Sequence, residues 1–375
     1  MDDLLLRYKA ISIFKTAAEK LSPLAALLSC DGDEAAEKCA DIFRSVAESG
    51  CDTTGEWIAT LLYADDNVFS RAVAHGERIP ERLKNQVRTE LATFKRLSLI
   101  KSEIYMTESN KDYFPRFGSG GMSVAYERLL AHYLTNGYGA TACGNAFVYE
   151  NGAFKPVDYG GVRLSDLKNY AEEKAEIVRN TENFIAGLPA FHTLLYGDCG
   201  TGKTATVRAV ANEYANKLKI VQISGANVAE LPALRARLSG LLQKYILFVD
   251  DLSLDGDAER RAAVESMLDM PCDNMLLYVT SDSSSDKTAE KATAASAADP
   301  SLFDRFGLVI TYVTPDKNGF CDILKQILRS RGIKWHDEYT AVAELAALKK
   351  GGRSPRAAKQ IADLIESAYA EKRSV

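Results

Sequence analysis

The sequence predicts an α/β protein: a mostly parallel sheet, preceded by a mainly helical half and followed by a small helical unit. Two observations predict it. After Gly161 five short apolar runs, FHTLLY, KIVQIS, YILFVD, MLLYVTS and GLVITYV, alternate with helical stretches, and strands this apolar are covered on both faces, as in a parallel sheet. Before that, apolar residues recur at three- and four-residue spacing, which is the period of an amphipathic helix. A chain of 375 residues also exceeds the usual size of a single core, so several folding units are expected.

Taken in order, residues 1–137 read as a helical domain, on segments such as EWIATLLYA and ERLKNQVRTELATFKRLSLIK. Residues 138–160 contain NAFVYENGAFKPV, two β-type runs flanking Asn151-Gly152, the dipeptide that supplies the positive φ angles of a type I′ hairpin turn. This hairpin is expected to separate the two halves. Residues 161–314 carry the strand–helix alternation, and 315–375 are helical again. SDSSSDKTAEKATAASAADPS, between the fourth and fifth runs, is rich in Ala and Ser and reads as a mobile loop.

A formal charge of -5 and a pI near 5.6 offer no global attraction to nucleic acid or anionic lipid. The seven cysteines are scattered, with no C-x-x-C pair, so reduced thiols in a cytoplasmic setting are expected. No apolar run approaches membrane-spanning length.

Gly197, Asp198, Cys199, Gly200, Thr201, Gly202, Lys203 and Thr204 fit G-x-x-x-x-G-K-[ST], with a β-type run before and the helix former TATVRAVANEYA, running on through Ala205, after. Such a loop wraps its backbone N–H groups around phosphates and adds the positive end of the following helix. Lys203 is expected to reach the β- and γ-phosphates, and Thr204 to ligate Mg²⁺. The apolar strand Tyr245-Ile-Leu-Phe-Val ends in Asp250 and Asp251. Adjacent acids at a buried strand end are costly unless a cation or hydrogen-bond donors sit nearby, and a Mg²⁺-nucleotide would supply the cation. Asp250 then belongs to the Mg²⁺ shell, and Asp251 orients or deprotonates an attacking water. Arg305, just before the fifth run, can stabilise transition-state charge. Arg356, in KGGRSPRAAK at the start of the last helix, can lean over the same phosphates.

The arrangement resembles the AAA+ ATPases and, within them, a bacterial family catalogued as a domain of unknown function. The resemblance rests on GVRLSDL, NTENFIAGLPA, LLYGDCGTGKT, ILFVDDLSL, SLFDRFGL and GGRSPRAAKQ, and covers about Tyr159 to Ile365. It implies a five-stranded αβα base of strand order 5-1-4-3-2, a helical lid, and hydrolysis of Mg²⁺-ATP at subunit interfaces of a ring or helical homo-oligomer. By the same resemblance Arg305 is the arginine finger and Arg356 the sensor-2 arginine, and Val162 to Leu167 line the adenine pocket.

Two departures stand out. The fourth strand of such proteins usually ends in a neutral polar residue; here YVTSD places Asp282 there. A carboxylate beside a γ-phosphate is repulsive unless protonated or paired, so either Thr280 or Ser281 senses the phosphate, Asp282 pairs with an arginine, or hydrolysis is slow. Second, SGANVAELPALRARLSG, after the second strand, contains no aromatic residue of the kind that peptide-threading machines use.

The four histidines are isolated, and His192 reads as a packed strand residue. Arg71 to Lys101 is the most basic stretch of the helical half, either a solvated helix face or a phosphate-binding surface for nucleic acid. Cys199 sits inside the phosphate loop, where its oxidation would obstruct nucleotide. The first reading is an ATPase that remodels a client chosen by its helical domain. The alternatives are a nucleotide-gated assembly switch with little turnover, and a nucleic-acid loader.

Overall fold

The computed structural model describes residues 2–108, 110–252, 258–269, 272–282, 302–349 and 352–373. The Ala/Ser-rich stretch after Asp282, most of LSLDGD after Asp251, and the Lys350-Gly351 pair lie outside them. The chain divides into two compact units, 1–144 with 240–243, and 145–239 with 244–375.

The first unit is helical. Its longer helices are Gly32–Glu48, Thr54–Tyr63, Glu81–Leu97 and Tyr126–Asn136. Each supplies an apolar stripe to one core that includes Phe14, Leu24, Trp57, Phe69, Phe94 and Tyr133. Helix starts are specified locally: Thr53 and Glu56 form a capping box, and the Asn67 side chain accepts from Phe69 N and Ser70 N. The buried Glu90 carboxylate accepts from the backbone N–H groups of Ser12, Ile13 and Phe14, so a charge inside this core is fully engaged.

The second unit is built on one seven-stranded sheet of order β2-β1-β4-β5-β6-β3-β7. The strands are β1 Ala146–Glu150, β2 Ala153–Pro156, β3 Thr193–Gly197, β4 Lys219–Ser224, β5 Tyr245–Asp250, β6 Met275–Asp282 and β7 Leu308–Tyr312. The five runs read from the sequence are β3 to β7; they are mutually parallel in the order β7-β3-β6-β5-β4. The expectation of a five-stranded sheet is corrected to seven. The hairpin expected to separate the halves has its turn as anticipated, with φ of 52° at Asn151 and 74° at Gly152. It is not a spacer, because β1 pairs in parallel with β4, Phe147 opposite Val221, and so extends the sheet edge. An apolar edge strand left unpaired would expose its N–H and C=O groups, and β1 satisfies those of β4.

Helices Ala171–Ala186 and Lys203–Glu213 contribute to the core of this sheet, which includes Ile177, Phe184, Val207, Val210, Phe248 and Tyr278. Lys317–Ser330, Glu338–Lys349 and Pro355–Arg373 form a second cluster around Phe320, Leu324, Ala358 and Ile361.

Candidate functional site

The phosphate loop follows β3, and its backbone explains its glycines. Gly197 has φ of 136°, and a Cβ there would lie 2.0 Å from the Tyr312 carbonyl oxygen on β7. At Gly200 (φ 78°) a Cβ would press on Ser354 Oγ at 3.0 Å and on Arg356 Cβ at 3.3 Å. A side chain is thus excluded at Gly197 by β7 and crowded at Gly200 by the start of the last helix, both at positive φ. Thr201 Oγ1 donates to Asp198 O at 2.7 Å and closes the loop internally.

Lys203 opens its helix and is 5% exposed. Its ammonium donates to Gly197 O and Asp198 O, both at 2.8 Å, and to Asp282 Oδ1 at 2.6 Å. One of the alternatives left open for Asp282 was pairing with an arginine; the ion pair it makes is with the phosphate-loop lysine. The reason is register: in the β3–β6 pairing Gly197 lies opposite Asp282, so the acid sits beside the loop into which Lys203 turns back.

Asp250 is the centre of a second network. Its Oδ1 accepts from Thr204 Oγ1 at 2.7 Å and Thr280 Oγ1 at 3.0 Å. Its Oδ2 accepts from Gln222 Nε2 at 3.1 Å and Arg208 Nη2 at 3.4 Å. Thr280 also accepts from Asp251 N at 2.9 Å, while Ser281 Oγ donates to Leu252 O at 3.0 Å. Both hydroxyls therefore tie β6 to the end of β5, and the residue of this strand end that meets Lys203 is Asp282. Asp251 follows with φ of 57°, left-handed and exposed, so its carboxylate is not held in the sheet.

Gln222, Arg208 and Tyr159 were missed by sequence reasoning. Tyr159 donates from its hydroxyl to Gln222 Oε1 at 3.0 Å, and Arg208 lies 5.2 Å over the Tyr159 ring. Burial pushes the Tyr159 hydroxyl up to about 12, so it remains a donor at neutral pH. Two signals were available. Gln222 is the one uncharged polar residue between the apolar positions of KIVQIS, and Arg208 is four residues after Thr204, on the same helix face.

The remaining candidates fall into four groups. Asp198 turns its side chain to Thr314, accepting at Oδ2 from Thr314 N at 2.9 Å and Thr314 Oγ1 at 2.6 Å, immediately before the terminal helices. Arg356 N donates to Gly200 O at 3.2 Å, and its Nη1 lies 3.7 Å from the exposed Cys199 Sγ, so the last helix starts on the loop. Arg353, in the same segment, instead pairs with Glu344 at 2.8 Å. Val162 and Leu167 are half-buried; Val162 O accepts from Asn212 Nδ2 at 2.8 Å, and Leu167 O accepts from Lys174 Nζ. Arg305 is apart from these networks, ion-paired to Asp269 at 3.1 Å.

His192 lies just before β3. Its Nδ1 accepts from Leu277 N at 2.9 Å, and burial with Arg235 nearby lowers its pKa to about 4. Among the described residues no cluster of His, Cys, Asp and Glu could hold a metal ion by itself, and no helix is long and apolar enough to cross a membrane.

Curated relatives include the replication factor C large subunits of Sulfurisphaera tokodaii, 29% identical over 119 residues, and of Thermofilum pendens, 30% identical over 123 residues. These matches cover 28% and 30% of this chain but only 26% and 29% of the relatives. The chain thus spans little more than a quarter of their length. Among solved structures, a single-residue variant of Thermotoga maritima RuvB aligns at a TM-score of 0.41 and 17% identity, over 56% of this chain and 66% of that one. The Thermotoga maritima RuvB Holliday junction branch migration motor aligns at a TM-score of 0.39 and 17% identity, over 56% of this chain and 66% of that chain. Residues 143–369, more than half of the chain, match one protein family, and the chain accordingly belongs to the family described as "Protein of unknown function (DUF815)".

Proposed function

We propose that the site binds Mg²⁺-ATP and hydrolyses it to ADP and phosphate, and that nucleotide-dependent movement remodels a client held by the helical unit. The observation that carries this reading is the convergence of Lys203, Thr204 and Asp250 beyond the C-terminal ends of β3 and β5, with Thr204 Oγ1 2.7 Å from Asp250 Oδ1.

The residues present fit the ligand. A loop from which Cβ atoms are excluded at Gly197 leaves its backbone N–H groups for phosphate oxygens. Thr204 and Asp250 supply the hard oxygens that Mg²⁺ takes. Bound Mg²⁺ would neutralise phosphate charge. Gln222, Arg208 and Thr280 fix the Asp250 carboxylate in place. Asp251, exposed beyond the strand end, is the group that orients or deprotonates water. Val162 and Leu167 border the base. Arg356 reports from the lid, and Arg305 is lent to a neighbouring copy, which requires its bond to Asp269 to break. On this reading the lid is 315–375, the base 161–314 and the client-binding domain 1–137.

The assembly switch with little turnover is favoured by one observation, the Lys203–Asp282 pair. The nucleic-acid loader would suit relatives named replication factor C, but Arg71, Lys84, Arg88 and Arg96 pair with Asp66, Glu81, Glu127 and Asp3. That supports a charge-balanced, solvated face.

Multiple-turnover ATPase assays across protein concentrations test the proposal. Wild type should turn over ATP at a rate per chain that rises with concentration. Asp251→Asn should lose on the order of 100-fold in rate with binding retained, and Lys203→Ala should lose binding. A wild-type rate equal to that of Lys203→Ala, with ATP still bound, would establish the switch instead.

A further inference from the structure

We propose that Tyr159 is a positioning residue for the metal: it backs both donors at Asp250 Oδ2 and, through Gln222, sets how tightly the site holds Mg²⁺. The inference rests on the reading of Thr204 and Asp250 as the metal side of the nucleotide site and adds a residue that acts through others.

The two oxygens of Asp250 are held differently. Oδ1 accepts from two hydroxyls, Thr204 Oγ1 at 2.7 Å and Thr280 Oγ1 at 3.0 Å. Oδ2 accepts from Gln222 Nε2 at 3.1 Å and, at the edge of bonding distance, from Arg208 Nη2 at 3.4 Å. Among the described residues the buried Arg208 Nε has no hydrogen-bond partner, so this guanidinium is not forked onto the carboxylate as a tight arginine pair would be. Gln222 therefore gives Oδ2 its direction. Strand register brings it there: Gln222 lies opposite Phe248 in the β4–β5 pairing, and Asp250, two residues on, shares that face.

Behind each of these donors stands Tyr159. An ionised Asp250 only accepts, so the Gln222 amide must turn Nε2 toward it and Oε1 away. Tyr159 meets that oxygen, its hydroxyl donating at 3.0 Å. A bond at the far end of the amide polarises the near end and anchors a long side chain that is otherwise free to turn. The Tyr159 ring, in turn, lies under Arg208 at 5.2 Å, a cation–π distance. Outer partners of this kind orient a metal ligand and strengthen its hold on the ion, and their loss costs about 10- to 100-fold in metal affinity. Hydroxyl and ring are separable, because phenylalanine keeps the second and lacks the first.

Mn²⁺, which takes the same oxygen ligands as Mg²⁺ and is visible to electron paramagnetic resonance, tests this on the full chain. The ion is titrated into chain with ADP bound, the chain in excess, and ADP binding is measured separately by calorimetry in chelator. Tyr159→Phe should weaken Mn²⁺ by about tenfold. Gln222→Met, of similar size but without the donor, should weaken it by about 10- to 100-fold, and the double variant should match Gln222→Met because the hydroxyl acts through the amide. ADP binding in chelator should equal that of wild type throughout, whereas a merely structural role would lower both affinities together. Either single variant decides the matter where the other fails to fold. Wild-type affinity for Mn²⁺ in a folded variant, parallel loss of metal-free ADP binding, or additive losses in the double variant would overturn the inference and leave the phosphate site standing. Wild type that takes up ADP but no Mn²⁺ would overturn the reading of Thr204 and Asp250, and the inference with it.

Discussion

Asp250 shows how a single carboxylate at a strand end acquires its role. Alone it would be a desolvated charge; with Thr204, Thr280, Gln222 and Arg208 around it, both oxygens are engaged and their direction is set. The sequence placed Asp250 and Thr204 together through motif and spacing, but half of this shell comes from β4 and β6, whose approach only the sheet order decides. His192 makes a related point with a measurable consequence. Its Nδ1 accepts from Leu277 N, so the folded state keeps the ring neutral, and its pKa falls to about 4 from the ordinary 6.5. A depressed histidine pKa means that the unfolded chain takes up a proton first as pH falls. The stabilisation is therefore present above about pH 6.5 and is lost progressively down to about pH 4, on the order of 3 kcal/mol in all. His192→Asn, which retains an acceptor near the same place but does not titrate, should lack this component. Thermal unfolding at pH 7.5 and pH 4.5 checks it: the wild-type melting temperature should fall further than that of the variant, and equal falls would refute the assignment.

At the scale of elements, the phosphate loop is set by what flanks it. The glycine pattern announced a loop, but not that Gly197 abuts Tyr312, nor that Gly200 abuts Ser354 and Arg356. These contacts separate two substitutions that look alike in sequence. Gly197→Ala puts a methyl group 2.0 Å from a backbone oxygen and should destabilise by on the order of 3 kcal/mol, with nucleotide binding lost. Gly202→Ala meets nothing within 4 Å and bears only the strain of φ 107°, about 1–2 kcal/mol. Chemical denaturation of both variants measures the difference, and an equal loss would show that the Tyr312 contact is relieved by movement of the loop. The hairpin teaches the converse. Asn151-Gly152 specified its own turn correctly, because that preference is local. Its placement was misread, because a strand of five residues carries no mark of which further neighbour it will pair with.

At the scale of the whole molecule, the chain comprises a helical unit and an α/β unit, each with its own core. Arg305 lies outside the phosphate and Asp250 networks of its own chain, bonded to Asp269, and so suits donation to another copy. Mixing Lys203→Ala with Arg305→Ala chains should therefore restore part of the ATPase activity that each lacks alone, since one supplies an intact loop and the other an intact arginine. No gain on mixing would place Arg305 outside the reaction. The sequence by itself determined the α/β class, the phosphate loop, the acidic end of β5 and the five parallel strands, because all depend on local pattern: alternation, glycine spacing and the residues flanking each run. Tertiary structure alone decided that the hairpin extends the sheet, that Gln222, Arg208 and Tyr159 gather around Asp250, and that Asp282 holds Lys203. Each of those joins residues dozens of positions apart, and their pairing follows from sheet order and register, which no local propensity encodes.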